Sequence, residues 1–146
     1  MPARGEEASW DVVYYQQADG RTPAIDFLDG CPIKLQARFD AVLDDVAAAP
    51  PPRYSGGGRW EAMHGDMGGF YEVRLGGPSR EQFRLFCILD NGSPQQLRER
   101  GLPRPAIAVI TGMRKPFMTV FDEHDYAGVR RLGDDYRAQL PRRVKT

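Results

Sequence analysis

Gln82-Phe83-Arg84-Leu85-Phe86-Cys87-Ile88-Leu89-Asp90 reads as a β-strand that is apolar on both of its faces. Side chains alternate along an extended chain, so Phe83, Leu85, Cys87 and Leu89 share one face and Arg84, Phe86 and Ile88 the other. Such a strand belongs in the middle of a sheet, and an arginine within it is costly unless it is paired or used. Upstream, Phe70–Leu75 alternates cleanly, with Tyr71, Val73 and Leu75 on one face and Phe70, Glu72 and Arg74 on the other. Pro105–Gly112 is a further strong strand, Arg59–His64 a weak one, and the aromatic and β-branched run Trp10–Tyr15 a first strand.

The helices lie around these strands. Thr22 and Pro23 start a short helix that Gly30 ends, and Ile25 and Leu28 form its inner face. Pro32 opens a second helix, in which Leu35, Phe39, Val42, Leu43 and Val46 recur at the helical period until Pro50-Pro51-Pro52 stops it. Asn91-Gly92 signals a turn, and the polar stretch 93–104, with Pro94 and Pro103, reads as a long loop. A last helix runs from Asp122 to about Leu140, acidic at its start and followed by basic residues, as the helix dipole favours. The resulting order is β-α-α-β-β-β-β-α. It predicts an α+β fold, an antiparallel sheet of about four to five strands with an N-terminal αα-hairpin packed on one face and a C-terminal helix. Residues 1–146 read as a single domain, with 1–9 and 141–146 as flexible ends.

Composition narrows the function. The chain has 146 residues, 27% charged and 41% apolar, which excludes a disordered tail and a membrane protein. The longest apolar runs, Leu85–Leu89 and Ala106–Ile110, fall far short of a bilayer span, and the charged first twenty residues do not resemble a signal or transit peptide. Cys31 and Cys87 read as two buried thiols of a cytoplasmic protein. Ser55-Gly56-Gly57-Gly58 lacks the Gly-Lys-Ser/Thr of a phosphate loop, no Gly-x-Ser-x-Gly is present, and no His/Cys/Asp cluster has metal-ligand spacing. No metal or cofactor is therefore expected. Net charge is zero, but residues 1–73 carry 6 Lys/Arg and 12 Asp/Glu, whereas residues 74–146 carry 14 and 8. That split points the second half toward a polyanion or an acidic partner.

Arg74 and Arg84, on neighbouring strands, are placed to converge on one sheet face, where two planar guanidinium groups suit a phosphate. The competing reading is that Glu72 or Asp90 neutralises them. Arg114 and Lys115, after the last strand, extend the positive region or form a solvated strand end. His64 is the candidate proton carrier by side-chain type and position. His124 reads as a local hydrogen-bonding residue in the acidic first turn of the last helix.

The string Gly69-Phe70-Tyr71-Glu72-Val73-Arg74, then Phe83-Arg84-Leu85-Phe86, then Ile107–Gly112 running into Met113-Arg114-Lys115, resembles the phage-derived, HigB-type branch of the RelE/ParE toxin superfamily. The early Gly20–Leu28 segment is similar to that family's first helix start, and the resemblance spans about residues 10–136. It implies the toxin of a type II toxin–antitoxin pair that cuts mRNA in the ribosomal A site. Arg74 and Arg84 match the family's phosphate-binding arginines, and Lys115 the second basic residue of its last motif. Tyr71 matches the motif tyrosine, although strand parity puts it on the core side. Met113 and Arg114 depart from the usual aromatic and lysine, and the 93–104 segment is longer than the usual turn. RNA can be cut by its own 2′-hydroxyl, so no metal is required. Arg74, Arg84, Lys115 and His64 are then the expected catalytic residues, with Arg59, Tyr71 and Arg114 as RNA contacts. The implied partners are a cognate antitoxin with a helix-turn-helix domain, the ribosome with its mRNA, and operator DNA only through the antitoxin, with no membrane. ParE-like relatives bind gyrase without cutting RNA, which is the alternative function. An inactive phage-derived relative is the third.

Overall fold

The computed structural model describes residues 9–49 and 58–146. The strands are β1 (Asp11–Tyr15), β2 (Trp60–Ala62), β3 (Phe70–Gly76), β4 (Gln82–Asp90), β5 (Ala106–Lys115) and β6 (Val144–Lys145). The helices are α1 (Pro23–Asp29), α2 (Ile33–Ala48), α3 (Pro94–Glu99) and α4 (Glu123–Ala138). All six strands form one sheet in the order β2-β3-β4-β5-β1-β6.

The class is α+β, but the sheet is mixed rather than antiparallel. β2 to β5 form an antiparallel meander, and β1 then joins the outer edge of β5 in parallel. The α1–α2 pair carries the chain from β1 to the far edge of the sheet, where β2 lies. β4 is central and apolar on both sides, as its sequence requires. On one side Phe83, Leu85 and Cys87 pack with Leu35, Phe39 and Leu43 of α2. On the other Phe86 and Ile88 pack with Val129 and Tyr136 of α4. Helices therefore cover both faces, not one. α4 approaches closely because Gly133 has no side chain: a Cβ there would lie 2.5 Å from the Phe70 ring.

Three other expectations are corrected. The 93–104 segment is not a structureless loop. Ser93 caps α3, its hydroxyl accepting from the Gln96 N–H (3.2 Å) while the Gln96 side chain accepts from the Ser93 N–H (2.8 Å). The expected turn Asn91-Gly92 therefore leads into a helix rather than into a loop. The end 141–146 is not free either: β6 pairs with β1, and Arg143 bonds the Gln16 carbonyl and Asp135. The expected stop at Pro50-Pro51-Pro52, residues 55–57 of the expected loop 55–58 and residues 1–8 of the expected flexible end 1–9 lie outside the described residues. Finally, β5 does not end at Gly112 but continues to Lys115. Gly112 lets the Phe27 ring of α1 lie on the strand; a Cβ there would come within 2.1 Å of it. A bulge inserts Ile110 between the Cys87↔Val109 and Phe86↔Thr111 pairs, which reverses the faces of every β5 residue after it.

The only buried carboxylate among the described residues is Asp90, at the end of β4. It accepts hydrogen bonds from the Tyr136 hydroxyl (2.7 Å), Arg142 Nε (3.0 Å) and Arg100 Nη1 (2.7 Å). One side chain thus joins the sheet to the end of α3, the end of α4 and the C-terminal segment. Burial alone raises its pKa, but the bonds from Tyr136 and Arg142 and the nearby guanidinium charges prevail and hold it below the usual carboxylate range. A depressed folded-state pKa adds stability that is present above the unfolded value of about 3.9 and is lost as pH falls through the folded value.

Asp90→Ala leaves buried partners unpaired and is expected to cost about 3–5 kcal/mol in urea unfolding. Asp90→Asn should flatten the acid limb of stability against pH below about pH 4. Gly112→Ala should cost about 1–3 kcal/mol by displacing Phe27, read by the same unfolding experiment.

Candidate functional site

Pairing between β3 and β4 sets Arg74 directly opposite Arg84. The Arg74 N–H also donates to the Arg59 carbonyl (2.9 Å), which continues the row toward β2. Like charges directly opposite on adjacent strands repel, and a carboxylate offsets this pair. Glu72, two residues along the same face, places Oε1 3.5 Å from Arg74 Nε and Oε2 4.0 Å from Arg84 Nε. Glu61 of β2 stands 3.1 Å from Arg74 Nη1. The Glu72 and Arg84 side chains are only 14% and 13% exposed, against 42% for Arg74. Burial pushes the Glu72 carboxyl up, the charges of Arg74 and Arg84 pull against that, Glu61 adds to it, and the net shift is upward. Burial likewise lowers the Arg84 pKa, with Glu72 opposing.

Glu72, Arg74 and Arg84 floor an open cleft of about 1010 Å³. It exists because α4 lies over Phe70 and Ile88, toward the other end of β3 and β4, and leaves this end of the sheet face bare. The β3–β4 turn with Arg80 forms one wall and the segment Phe117–Phe121 the other, with Tyr126 from the first turns of α4 beside them. The Arg84 guanidinium lies 5.2 Å from the centre of the Phe121 ring. Its Nη2 donates to Gln82 Oε1 at 3.2 Å. Tyr126 meets Phe86 edge-on, and burial raises its pKa, with Glu72 adding to the rise.

Of the expected site residues, the cleft gathers Arg74 and Arg84. Lys115 shares their face, two positions from Arg84's partner Met113, but its ammonium is held by Asp125 at 3.1 Å. Arg114 lies on the opposite face because of the Ile110 bulge. It rests over Phe83 (5.1 Å) and pairs with Glu81 (2.8 Å), so it does not extend the same positive region. Tyr71 stacks on Trp60 against the α1–α2 core, the packing role that parity predicted. Arg59 is exposed beside Gly58 at the edge of the cleft. His64 is exposed beyond β2, some five residues along the strands from Arg74, roughly 16 Å away, and is not brought to the cleft. His124 lies exposed in the first turn of α4.

Sequence reading treated Glu72 only as a neutralising partner and passed over Arg80, Gln82, Phe121 and Tyr126. Gln82 was within reach, since it shares the parity of Arg84; the aromatic residues carried no sequence signal because a separate loop and helix deliver them. The charge split along the chain does not become one basic surface. Arg100, Arg104, Arg114, Arg142 and Arg143 are all ion-paired within the fold. Among the described residues no group of three or more metal-ligating side chains forms, and no helix is long and apolar enough to cross a membrane.

In Arg84→Met the Glu72 carboxyl should titrate at a higher pH than in the unaltered chain, because a lowering charge is lost while burial stays. A carboxyl-carbon NMR titration reads this, and a downward shift contradicts the arrangement. No protein-family model, no curated protein and no solved structure matches this chain.

Proposed function

We propose that this chain is a metal-independent endoribonuclease of the RelE/ParE type, the toxin of a type II toxin–antitoxin pair, that cuts mRNA on the ribosome. One observation carries the reading: two guanidinium groups, directly opposite on adjacent strands, flank a carboxyl of raised pKa on the floor of an open cleft. The sequence strings around Tyr71–Arg74, Phe83–Phe86 and Met113–Lys115 support it by their order.

In the proposed reaction the RNA's 2′-oxygen attacks the adjacent phosphorus and the bond to the 5′-oxygen breaks. The Glu72 carboxylate takes the 2′-hydroxyl proton, and its raised pKa makes it the stronger base. Arg84 and Arg74 donate to the phosphoryl oxygens as charge grows in the transition state. Water entering the open cleft protonates the leaving 5′-oxygen, and the hydroxide so formed takes the proton held by Glu72, which restores water and the carboxylate. The products are a 2′,3′-cyclic phosphate and a 5′-hydroxyl. Glu72 takes the proton-carrying role that sequence reading gave to His64. An acidic antitoxin segment over Arg74 and Arg84 would block phosphate entry by charge complementarity.

The Arg74–Glu61 ion pair, which occupies one guanidinium, favours a second reading as a gyrase-binding toxin. Purified chain incubated with ribosome-bound mRNA distinguishes them. New ends with cyclic phosphate are expected, and Arg84→Ala and Glu72→Gln should each slow their appearance about 100-fold or more. Intact mRNA with the unaltered chain sinks the nuclease, and blocked supercoiling in a parallel gyrase assay would establish the alternative.

A further inference from the structure

The segment 116–121, between β5 and α4, exposes apolar side chains where a folded chain normally hides them. Phe117 is 50% exposed, Met118 82% and Val120 77%, three of the five exposed large hydrophobic residues described. The segment is nevertheless firmly held. The Gln82 side-chain amide donates to the Thr119 carbonyl at 2.6 Å and approaches that of Pro116 at 3.4 Å. The Thr119 N–H closes on the Pro116 carbonyl at 3.1 Å.

The backbone there is strained as well. The described residues include three non-glycine positions with positive φ: Ser79 (55°) and Arg80 (58°) in the β3–β4 turn, and Met118 (65°) in the facing segment. A left-handed conformation is unfavourable for a non-glycine residue, and each of them holds it inside a turn closed by the Glu81 N–H to the Pro78 carbonyl or the Thr119 N–H to the Pro116 carbonyl. Such strain concentrates where side chains are aimed at a ligand. Both walls of the cleft carry it.

The two walls also meet through ring–cation contacts. The Arg80 guanidinium lies 5.2 Å from the Phe117 ring centre, and Arg84 lies equally far from that of Phe121. Arg80 makes no ion pair with a described residue. Gln82 ties the two arrangements together, accepting from Arg84 while donating to Thr119.

We propose that Phe117, with Met118 and Val120 around it, is a stacking platform for a nucleobase next to the cleaved linkage, and that Arg80 binds the phosphate of that nucleotide. This rests on the ribonuclease reading and extends it: the site takes at least two consecutive nucleotides of single-stranded RNA. A half-exposed ring beside a guanidinium that has no ion pair among the described residues matches a nucleotide, whose flat base offers a π-face and whose backbone offers the anion. A flat apolar partner surface would leave Arg80 buried without an anion. Gln82 acts as a positioning residue that keeps platform and scissile site in register.

The test is anisotropy binding of a short, labelled, single-stranded RNA, 2′-deoxy at the cleaved position so that it stays intact, together with a set carrying one abasic site at each position. With the unaltered chain, one abasic position should weaken binding about tenfold. In Phe117→Ala that position-specific loss should shrink to within about twofold while the intact RNA binds about tenfold more weakly, and Phe117→Trp should restore both. An abasic loss of the same size in Phe117→Ala overturns the platform and leaves the ribonuclease reading standing. Unchanged RNA affinity in Phe117→Ala also overturns it and assigns the exposed segment to a protein contact. Failure of the unaltered chain to bind the intact RNA overturns the platform, and cleavage of ribosome-bound mRNA decides the ribonuclease reading separately.

Discussion

β4 is apolar on both faces through its middle, and its two charged residues lie toward its two ends. At one end Asp90 is buried, and a buried carboxylate must be satisfied or it neutralises or expels itself. It is satisfied by three donors from three separate segments, Tyr136 in α4, Arg142 after it and Arg100 after α3. That requirement ties α4 and the chain's end to β4, alongside the Gly133–Phe70 approach and the Lys115–Asp125 and Arg143–Asp135 ion pairs. Apolar packing of Val129 and Tyr136 would hold α4 on the sheet in many orientations; the Asp90 contacts select one.

That selection makes the cleft. Fixed over Phe70 and Ile88, α4 leaves the opposite end of the face uncovered, and the remaining residues there are Glu72, Arg74 and Arg84. Glu72 neutralises both guanidinium groups, and in the proposed reaction it is also the base. Its two guanidinium neighbours cannot fully repay the cost of its burial, and the carboxyl is held ready for a proton. The walls supply the strain that the floor lacks, in Arg80 and Met118, and the amide of Gln82 keeps wall and floor together.

The folded arrangement also spends most of the second half's positive charge internally. Arg104 reaches Asp11 and Arg142 reaches Asp90, so residues far apart in the chain cancel each other. What remains at the cleft is local: three arginines facing Glu72 and Glu81, the latter already committed to Arg114. A linear charge count could not reveal this, because charge neutralisation acts over a few ångströms in space rather than over residues in sequence.

Alternation and helical period were enough to fix the elements β1, β3, β4, β5, α1, α2 and α4 within a few residues, the central place of β4, and the shared face of Glu72, Arg74 and Arg84. These are local properties: each depends on a side chain's neighbours along the chain. α3 was missed because its six residues are too short and polar to show a period, and only the reciprocal Ser93–Gln96 cap marks it. The parallel seating of β1 on β5, the β6 strap and the cover on both faces depend on strand order, which no periodicity encodes. The clearest case is Ile110. One extra residue in β5 exchanges the faces of everything after it, sending Lys115 to the side of Arg84 and Arg114 to the side of the α1–α2 core. That exchange arises from how β5 fits β4 across their hydrogen bonds, so tertiary structure alone decided which of the two cations could approach the cleft.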